Sequence, residues 1–232
     1  MIMPNWPTDT QRISIVGRTG SGKSVAGLFH LSRANWHQQP YVVYDFKRDS
    51  LIAEIEALEG AVTLPIGEVP HAPGLYIVHP LPHESDLVEI QMWRIWEQGY
   101  TGVYADEGYM VCGPANSNSA FRALLTQGRS KHIPIIINSQ RPVWLDRFVF
   151  SESDFYQIFQ LNHAGDRKKM MEYIPAKLDA PLPAYHSYYH DVAAAETYVL
   201  KPVPKPDEIV AEFNRRLQKM IEKPPRKARL VI

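Results

Sequence analysis

The chain has little cysteine, no long apolar run and no excess of either charge. Its single cysteine, Cys112, excludes an internal disulfide framework and any cysteine-rich zinc site. The 25 basic and 25 acidic residues balance, so the molecule as a whole does not attract nucleic acid, and such binding has to come from local patches. The nine histidines lack the spacing of metal ligands, so we expect no zinc.

The lack of a membrane-spanning run bears on location. No stretch approaches the length that a bilayer requires, and residues 1–10 lack a basic flank followed by an apolar segment. The cytoplasm is therefore the expected location. With 232 residues, 45% of them hydrophobic and 22% charged, the chain fits one α/β domain with at most a small appendage.

What the chain does have is a complete phosphate loop of the pattern G-x-x-x-x-G-K-[ST] at residues 17–24. Its glycines let the backbone curl so that consecutive N–H groups face the phosphates of a nucleotide. Lys23 is expected to reach the β- and γ-phosphates, and the Ser24 hydroxyl to ligate Mg²⁺. A predicted strand at 12–16 and a predicted helix at 25–34 flank the loop, as an anion site requires. The predicted nucleotide-binding residues are Gly17, Arg18, Thr19, Gly20, Ser21, Gly22, Lys23, Ser24 and Val25.

Strand and helix patterns alternate along the rest of the first 180 residues. Further strands are predicted at 41–44, 75–78, 102–105 and 133–137, and further helices at 50–60, from about 86, and at 119–130. Asp86 is the predicted cap of the middle helix, with Glu89 as its capping-box partner. Such alternation predicts an α/β fold with a mainly parallel sheet covered by helices on both faces.

The pattern changes after residue 180. Residues 185–190 and 197–200 predict a β-hairpin, and residues 207–221 an amphipathic helix. Seven basic residues and one acidic residue lie between Arg215 and Arg229, so this tail is either a solvated end or a contact for a phosphate backbone. We therefore divide the chain into a P-loop ATPase domain at 1–205 and an appended helix and basic tail at 206–232.

Two adjacent carboxylates, Asp106 and Glu107, follow the fourth predicted strand. Asp106 is expected to complete the Mg²⁺ shell that Ser24 begins. Glu107 is expected to polarise the attacking water as general base. The pair favours hydrolysis by water over transfer to another acceptor, and the guanine-reading N-K-x-D motif is absent.

Polar residues also end the fifth predicted strand. The segment at 138–142 reads Asn-Ser-Gln-Arg-Pro, and this strand is expected to lie beside the first. Gln140 would then hydrogen-bond the attacking water or the γ-phosphate and report hydrolysis to the rest of the molecule.

These motifs together resemble the FtsK–HerA superfamily of RecA-like, additional-strand P-loop ATPases. The resemblance rests on the phosphate loop, Asp-Phe-Lys at 45–47, the Asp-Glu pair and Ile-Ile-Ile-Asn-Ser-Gln-Arg-Pro at 135–142. It implies ATP and Mg²⁺ as cofactors and a homo-oligomeric ring, expected to be a hexamer. It also implies that Arg129 projects into a neighbouring subunit's site as an arginine finger, with Arg141 as the competing candidate.

The compact core resembles the genome-packaging ATPases of membrane-containing icosahedral viruses and phages. That resemblance implies an ATP-driven DNA translocase that pumps double-stranded DNA, without sequence preference, into a preformed capsid. Capsid vertex or membrane proteins are then possible partners, with the protein in the host cytoplasm or at the packaging vertex of the virion. The alternatives are an assembly or secretion ATPase related to zonula occludens toxin and a DNA-transfer ATPase of the conjugation type.

Two groups of residues are alternative candidates for the surface that would face DNA. One candidate is the small polar loop at 113–119 with Arg122 just beyond it, and Lys47 and Arg48 are another. Each of these groups is alternatively solvated surface.

Overall fold

A computed structural model describes residues 4–113 and 118–222. Within these residues nine strands form one mixed sheet in the order β3-β4-β2-β5-β6-β1-β7-β8-β9. The strands are β1 (Arg12–Val16), β2 (Pro40–Tyr44), β3 (Ala61–Thr63), β4 (Gly74–Val78), β5 (Gly102–Ala105), β6 (Ile135–Ser139), β7 (Phe155–Ile158), β8 (Ser187–Asp191) and β9 (Glu196–Leu200). The first seven strands pair in parallel, and the last two add an antiparallel hairpin beside β7.

Helices cover both faces of this sheet. They are α1 (Lys23–Arg33), α2 (Ser50–Glu56), α3 (Ser85–Gln98), α4 (Tyr109–Cys112), α5 (Ser119–Gln127), α6 (Arg147–Ser151), α7 (Ala164–Met171) and α8 (Pro206–Glu222). One hydrophobic core lies under α3 to α7, and a second lies under α1, α2 and α8. The predicted α/β class, parallel sheet and C-terminal hairpin and helix are confirmed. None of the described helices is both long enough and apolar enough to cross a bilayer.

The strand order brings the functional loops to one edge of the sheet. In parallel registers, Val16 at the end of β1 lies opposite Ser139 of β6, and Ala105 of β5 lies opposite Ile137 of β6. The residues that follow these three strands therefore leave at the same carboxyl edge, where ligands of open parallel sheets bind. The expected position of β6 beside β1 is confirmed.

Strand β5 is less apolar than a buried strand usually is, and its packing explains why. A methyl group at Gly102 would overlap the ring of Tyr41 on the neighbouring strand, so only glycine fits there. Tyr104 is fully buried, and its hydroxyl accepts a hydrogen bond from Nδ2 of Asn138 at 2.8 Å. A methyl group at Gly27 would meet these same Asn138 and Tyr104 side chains, which shows how closely α1 packs on β5 and β6.

Several local predictions are wrong. Strand β6 covers 135–139 rather than 133–137, because Ile133 closes a turn with its N–H on the Gly128 carbonyl and Pro134 has no N–H to give. Helix α3 begins at Ser85, so Asp86 lies in its first turn and is not its cap. Glu89 instead accepts a hydrogen bond from the backbone N–H of Ser119, at 2.9 Å. The helix predicted at 119–130 ends at Gln127 and continues as a short 3₁₀ turn.

Helix α8 packs on the same face of the sheet as α1 and α2. Its buried residues Ile209, Phe213 and Leu217 join the second core, and Phe213 stacks on Trp36 with ring centroids 6.1 Å apart. The Arg216 guanidinium lies over Trp36 and donates hydrogen bonds to the carbonyls of Ser32 and Ala34, at the end of α1. These contacts tie α8 to α1, and the division at residues 205 and 206 stays a sequence-based prediction.

Candidate active site

The phosphate loop forms a backbone cradle between β1 and α1. Gly20 and Gly22 have φ angles of +73° and +97°, in the left-handed region that favours glycine. At the start of the loop, the N–H of Gly17 donates to the carbonyl of Ser139 and the N–H of Arg18 to that of Gln160, on the two neighbouring strand ends. The cradle is thus fixed to both β6 and β7.

Helix α1 points its amino end into this cradle. It begins at Lys23 after Gly22, and no side chain caps its first turn, which leaves its N–H groups and the positive end of the helix dipole for an anion. Lys23 is buried, and this burial lowers its pKa while the carboxylates of Asp106 and Asp49 oppose the shift. These features are those expected of a phosphate site.

The two predicted carboxylates lie together at the end of β5, and both are buried. Neither carboxylate oxygen of Asp106 has a hydrogen-bond partner within the described residues. Burial raises the pKa of Asp106, with the nearby Lys47 opposing the shift. A buried carboxylate without partners is costly unless a cation or water satisfies it. Asp106 and the Ser24 hydroxyl therefore fit a hard divalent cation such as Mg²⁺, which prefers oxygen ligands.

Glu107 has protein partners, and the sequence did not predict the first of them. Lys47, which follows β2 and had been one candidate for DNA contact, places its Nζ on Oε2 of Glu107 in an ion pair. About a third of the Lys47 side chain stays exposed, whereas Glu107 is fully buried. Oε1 of Glu107 has no hydrogen-bond partner among the described residues. The only sequence signal for this contact was the Asp-Phe-Lys segment after the second strand.

Gln140 connects the phosphate loop to Glu107. Its side-chain carbonyl accepts a hydrogen bond from the Thr19 hydroxyl at 2.7 Å, and its amide donates to Oε2 of Glu107 at 3.5 Å. This side chain therefore reaches both the tip of the loop and the carboxylate that is predicted to activate water. Asn138, two residues earlier, turns into the sheet instead and bonds Tyr104.

Arg129, the predicted arginine finger, lies far from these groups. It belongs to the 3₁₀ turn before β6, at the amino edge of the sheet, and forms an ion pair with Asp154. Its side chain is 59% exposed. Arg141, the competing candidate, donates from Nε to Asp166 at 2.7 Å and lies over the Trp144 ring. The structure thus separates Arg129 from the site in its own chain.

The other cations considered for DNA contact make local contacts. Arg48 donates to the carbonyl of His79 at 3.4 Å, and Arg122 forms an ion pair with Asp146 at 2.6 Å. Of the predicted polar loop, residues 114–117 lie outside the described residues, as does the basic tail from residue 223.

No protein-family model matches the chain. Over 219 residues it is 45% identical to the DNA packaging ATPase P9 of Enterobacteria phage PRD1, an alignment that covers 90% of this chain and 94% of that one. The chain belongs to this family of DNA packaging ATPases. The membership confirms the resemblance to viral packaging ATPases that the sequence motifs indicated.

Solved structures support the family's fold at lower identity. The genome packaging NTPase B204 of Sulfolobus turreted icosahedral virus 2, in complex with ATP-gammaS, matches with a TM-score of 0.64 at 20% identity. That match covers 84% of this chain and 99% of B204. ATPases 2 and 3 of EssC from Geobacillus thermodenitrificans match with a TM-score of 0.61 at 14% identity, over 94% of this chain and 45% of that one. At these identities, both matches show that this chain shares its fold with B204 and EssC.

Proposed function

We propose that this packaging ATPase is an ATP-driven translocase that pumps double-stranded DNA into a preformed capsid. One observation carries the proposal: a phosphate loop faces the buried pair Asp106 and Glu107 in a chain 45% identical to a DNA packaging ATPase. The loop provides the anion cradle, and the two carboxylates provide a cation ligand and a base.

Hydrolysis assigns a separate task to each side chain. Lys23 and the N–H groups at the start of α1 hold the β- and γ-phosphates. Glu107 takes a proton from a water whose oxygen bonds to the γ-phosphorus, while the bond from that phosphorus to the bridging oxygen breaks and ADP leaves. Because Lys47 neutralises Glu107 in the structure, the carboxylate acts as a base only after this ion pair loosens. Gln140 would detect the γ-phosphate, a role that its bonds to Thr19 and Glu107 support.

The Mg²⁺ proposal rests on the two Asp106 oxygens, which have no hydrogen-bond partner among the described residues. Asp106 would hold the ion together with the Ser24 hydroxyl of the phosphate-loop motif, and the ion's charge would neutralise the phosphate oxygens as the bond to the leaving group breaks.

The position of Arg129 supports the proposal of a ring. This residue and the phosphate loop lie at opposite edges of the sheet, separated by the five residues of β1 or about 16 Å. Arg129 therefore cannot reach the nucleotide of its own chain. We propose that it enters the neighbouring subunit's site, in a closed homo-oligomer that we expect to be a hexamer.

The DNA substrate and the location follow from the packaging role. We propose sequence-independent contacts with the phosphate backbone inside the ring, made by the loop around residues 113–119 or by the basic tail. The protein would act in the host cytoplasm and at the packaging vertex, where capsid vertex or membrane proteins would anchor the ring.

Phosphate release from ATP tests this function when it is measured with and without linear duplex DNA over a range of protein concentrations. We expect the rate per subunit to rise with both variables, because rings complete their sites through Arg129 and assemble on DNA. Single-stranded DNA of equal length is the matched control. Equal stimulation by single strands would favour the assembly or secretion alternative, and absence of phosphate release with Mg²⁺ would overturn the proposal.

A further inference from the structure

The structure indicates on which side of the phosphate loop the nucleoside lies. Strand β1 ends at the loop, with β6 and β5 on one side of it and β7 on the other. Glu107 and Gln140 follow β5 and β6, so the γ-phosphate belongs on that side. A triphosphate that spans the loop with its γ-phosphoryl group there directs its sugar and base toward β7.

Two aromatic side chains lie on the β7 side, against the glycine that precedes α1. A methyl group at Gly22 would lie 3.2 Å from Cδ1 of Tyr185 and 3.6 Å from Cε1 of Phe159. Phe159 is buried and donates its backbone N–H to Val16, so it is part of the floor of the loop. Tyr185 is 58% exposed. Its ring therefore borders the phosphate loop while much of its surface faces solvent.

The backbone holds Tyr185 in an uncommon conformation. Its φ angle is +60°, in the left-handed region that bulky residues rarely adopt and that often marks ligand sites. The segment before it is anchored by a hydrogen bond from the Leu182 N–H to Oε1 of Gln160, at 3.0 Å. The carbonyl of Gln160 in turn accepts the N–H of Arg18 in the phosphate loop. One residue thus ties the phosphate loop to the segment that carries Tyr185.

We propose that Tyr185 is the platform on which the base of the bound nucleotide stacks. The inference rests on the proposed function and adds a base subsite to its phosphate site. An aromatic face stacks on every base because each has a π-surface, so Tyr185 contributes affinity for nucleoside triphosphates and does not choose between adenine and guanine. Phe159, which also borders Gly22, adds an apolar surface on this side of the loop.

The test compares a ligand that has a base with one that lacks it. Binding of ATP-gammaS and of inorganic tripolyphosphate to the full chain is measured by calorimetry for the unmodified protein, Tyr185→Gly and Tyr185→Phe. Glycine suits a positive φ, so it removes the ring without straining the backbone. We expect Tyr185→Gly to weaken ATP-gammaS binding about 5- to 100-fold and to leave tripolyphosphate binding unchanged. Tyr185→Phe keeps the stacking ring and should bind both ligands normally.

Tyr100 provides a matched control. It is also a tyrosine with a positive φ, +47°, and is 60% exposed, but it lies at the amino edge and stacks on His132. Tyr100→Gly should leave both affinities unchanged. Unchanged ATP-gammaS binding in Tyr185→Gly, or an equal loss for tripolyphosphate, would overturn the inference. An unmodified protein that binds neither ligand would instead overturn the proposed function itself.

Discussion

The two edges of the sheet differ in how an aspartate carboxylate is satisfied at each. At the carboxyl edge, both oxygens of Asp106 have no hydrogen-bond partner among the described residues. At the amino edge, Asp154 accepts the backbone N–H of Arg12 at 2.9 Å and pairs with Arg129. Charges without partners indicate where a ligand's charge belongs, and paired charges need no ligand. In the proposed ring, Arg129 would exchange Asp154 for a phosphate of the neighbouring subunit's nucleotide.

The largest effect on the turnover of ATP should come from removing Arg129, the cation that pairs with Asp154 at the amino edge. Arg129→Ala is expected to lower the turnover of ATP by about 10³-fold, because the proposed finger would stabilise the charge of the transition state in a neighbouring subunit. Nucleotide affinity should change much less. Steady-state phosphate release from assembled protein measures the effect.

Mixing experiments separate a role between subunits from a role within one. Subunits with Arg129→Ala keep an intact catalytic site, and subunits with Glu107→Gln keep their arginine. A mixture of the two inactive variants should therefore regain activity wherever a Glu107→Gln subunit supplies the finger. Arg141→Ala, which removes the arginine paired with Asp166, is the comparison variant. No recovery in the mixture would contradict action between subunits.

At the carboxyl edge, Glu107→Gln keeps the shape of the side chain but removes the base. We expect turnover to fall by about 10²-fold, because general-base assistance is lost. Binding of ATP-gammaS should persist, and calorimetry alongside turnover distinguishes the two quantities. Full turnover in this variant would show that another group activates the water.

The ion pair between Lys47 and Glu107 predicts an effect on stability. Lys47→Met should lower the free energy of unfolding by about 1–3 kcal/mol, because it leaves a buried carboxylate without its cation. Exposure of about a third of the Lys47 side chain keeps the loss below that of a fully buried pair. In a Glu107→Gln background the same substitution should cost much less. Equal losses in both backgrounds, measured by denaturant unfolding, would contradict the pairing.

The smallest effect concerns Asp106 and pH. Burial raises its pKa above the ordinary value of 3.8, so the folded protein binds this proton more tightly than the unfolded chain does. The contribution of Asp106 to stability is therefore greatest below pH 3.8 and declines as the pH rises through the raised pKa. Asp106→Asn should lack this decline and, at neutral pH without nucleotide, be more stable by about 1 kcal/mol. If the free energies of unfolding of the unmodified protein and Asp106→Asn changed with pH in parallel, the raised pKa of Asp106 would be contradicted.

Local patterns were sufficient for much of the fold. The phosphate loop, the strands that became β1, β2, β4 and β5, and the terminal hairpin carry strong periodicity or a complete motif. Strand β3 has only three residues, and the apolar run of β7, Phe155–Ile158, is interrupted by Gln157, so neither gives a clear periodic signal. The shifted bounds of β6 follow from a local turn, in which the Ile133 N–H bonds the Gly128 carbonyl five residues earlier and no apolar periodicity marks the turn.

The site was predictable only where residue type and chain position define a role. Asp106, Glu107 and the glycines lie at strand ends that a parallel sheet brings together. The Lys47 contact with Glu107 and the position of Tyr185 beside Gly22 depend on how distant segments pack. The Asp-Phe-Lys segment marked Lys47 without indicating its partner, and no pattern marked Tyr185 as a site residue. Arg129 could be placed at the amino edge from its position before β6, but its pairing with Asp154 could not.

Helix α1 is held at both of its ends. Its first turn faces the phosphate cradle, and its last carbonyls are held by Arg216 of α8. Its eleven residues form a helix about 16 Å long. A displacement of one end along the helix axis is therefore carried to the other end. A nucleotide that draws the first turn of α1 inward therefore pulls on the C-terminal helix as well. Through this linkage, ATP hydrolysis at the amino end of α1 would displace the helix that is packed at its other end.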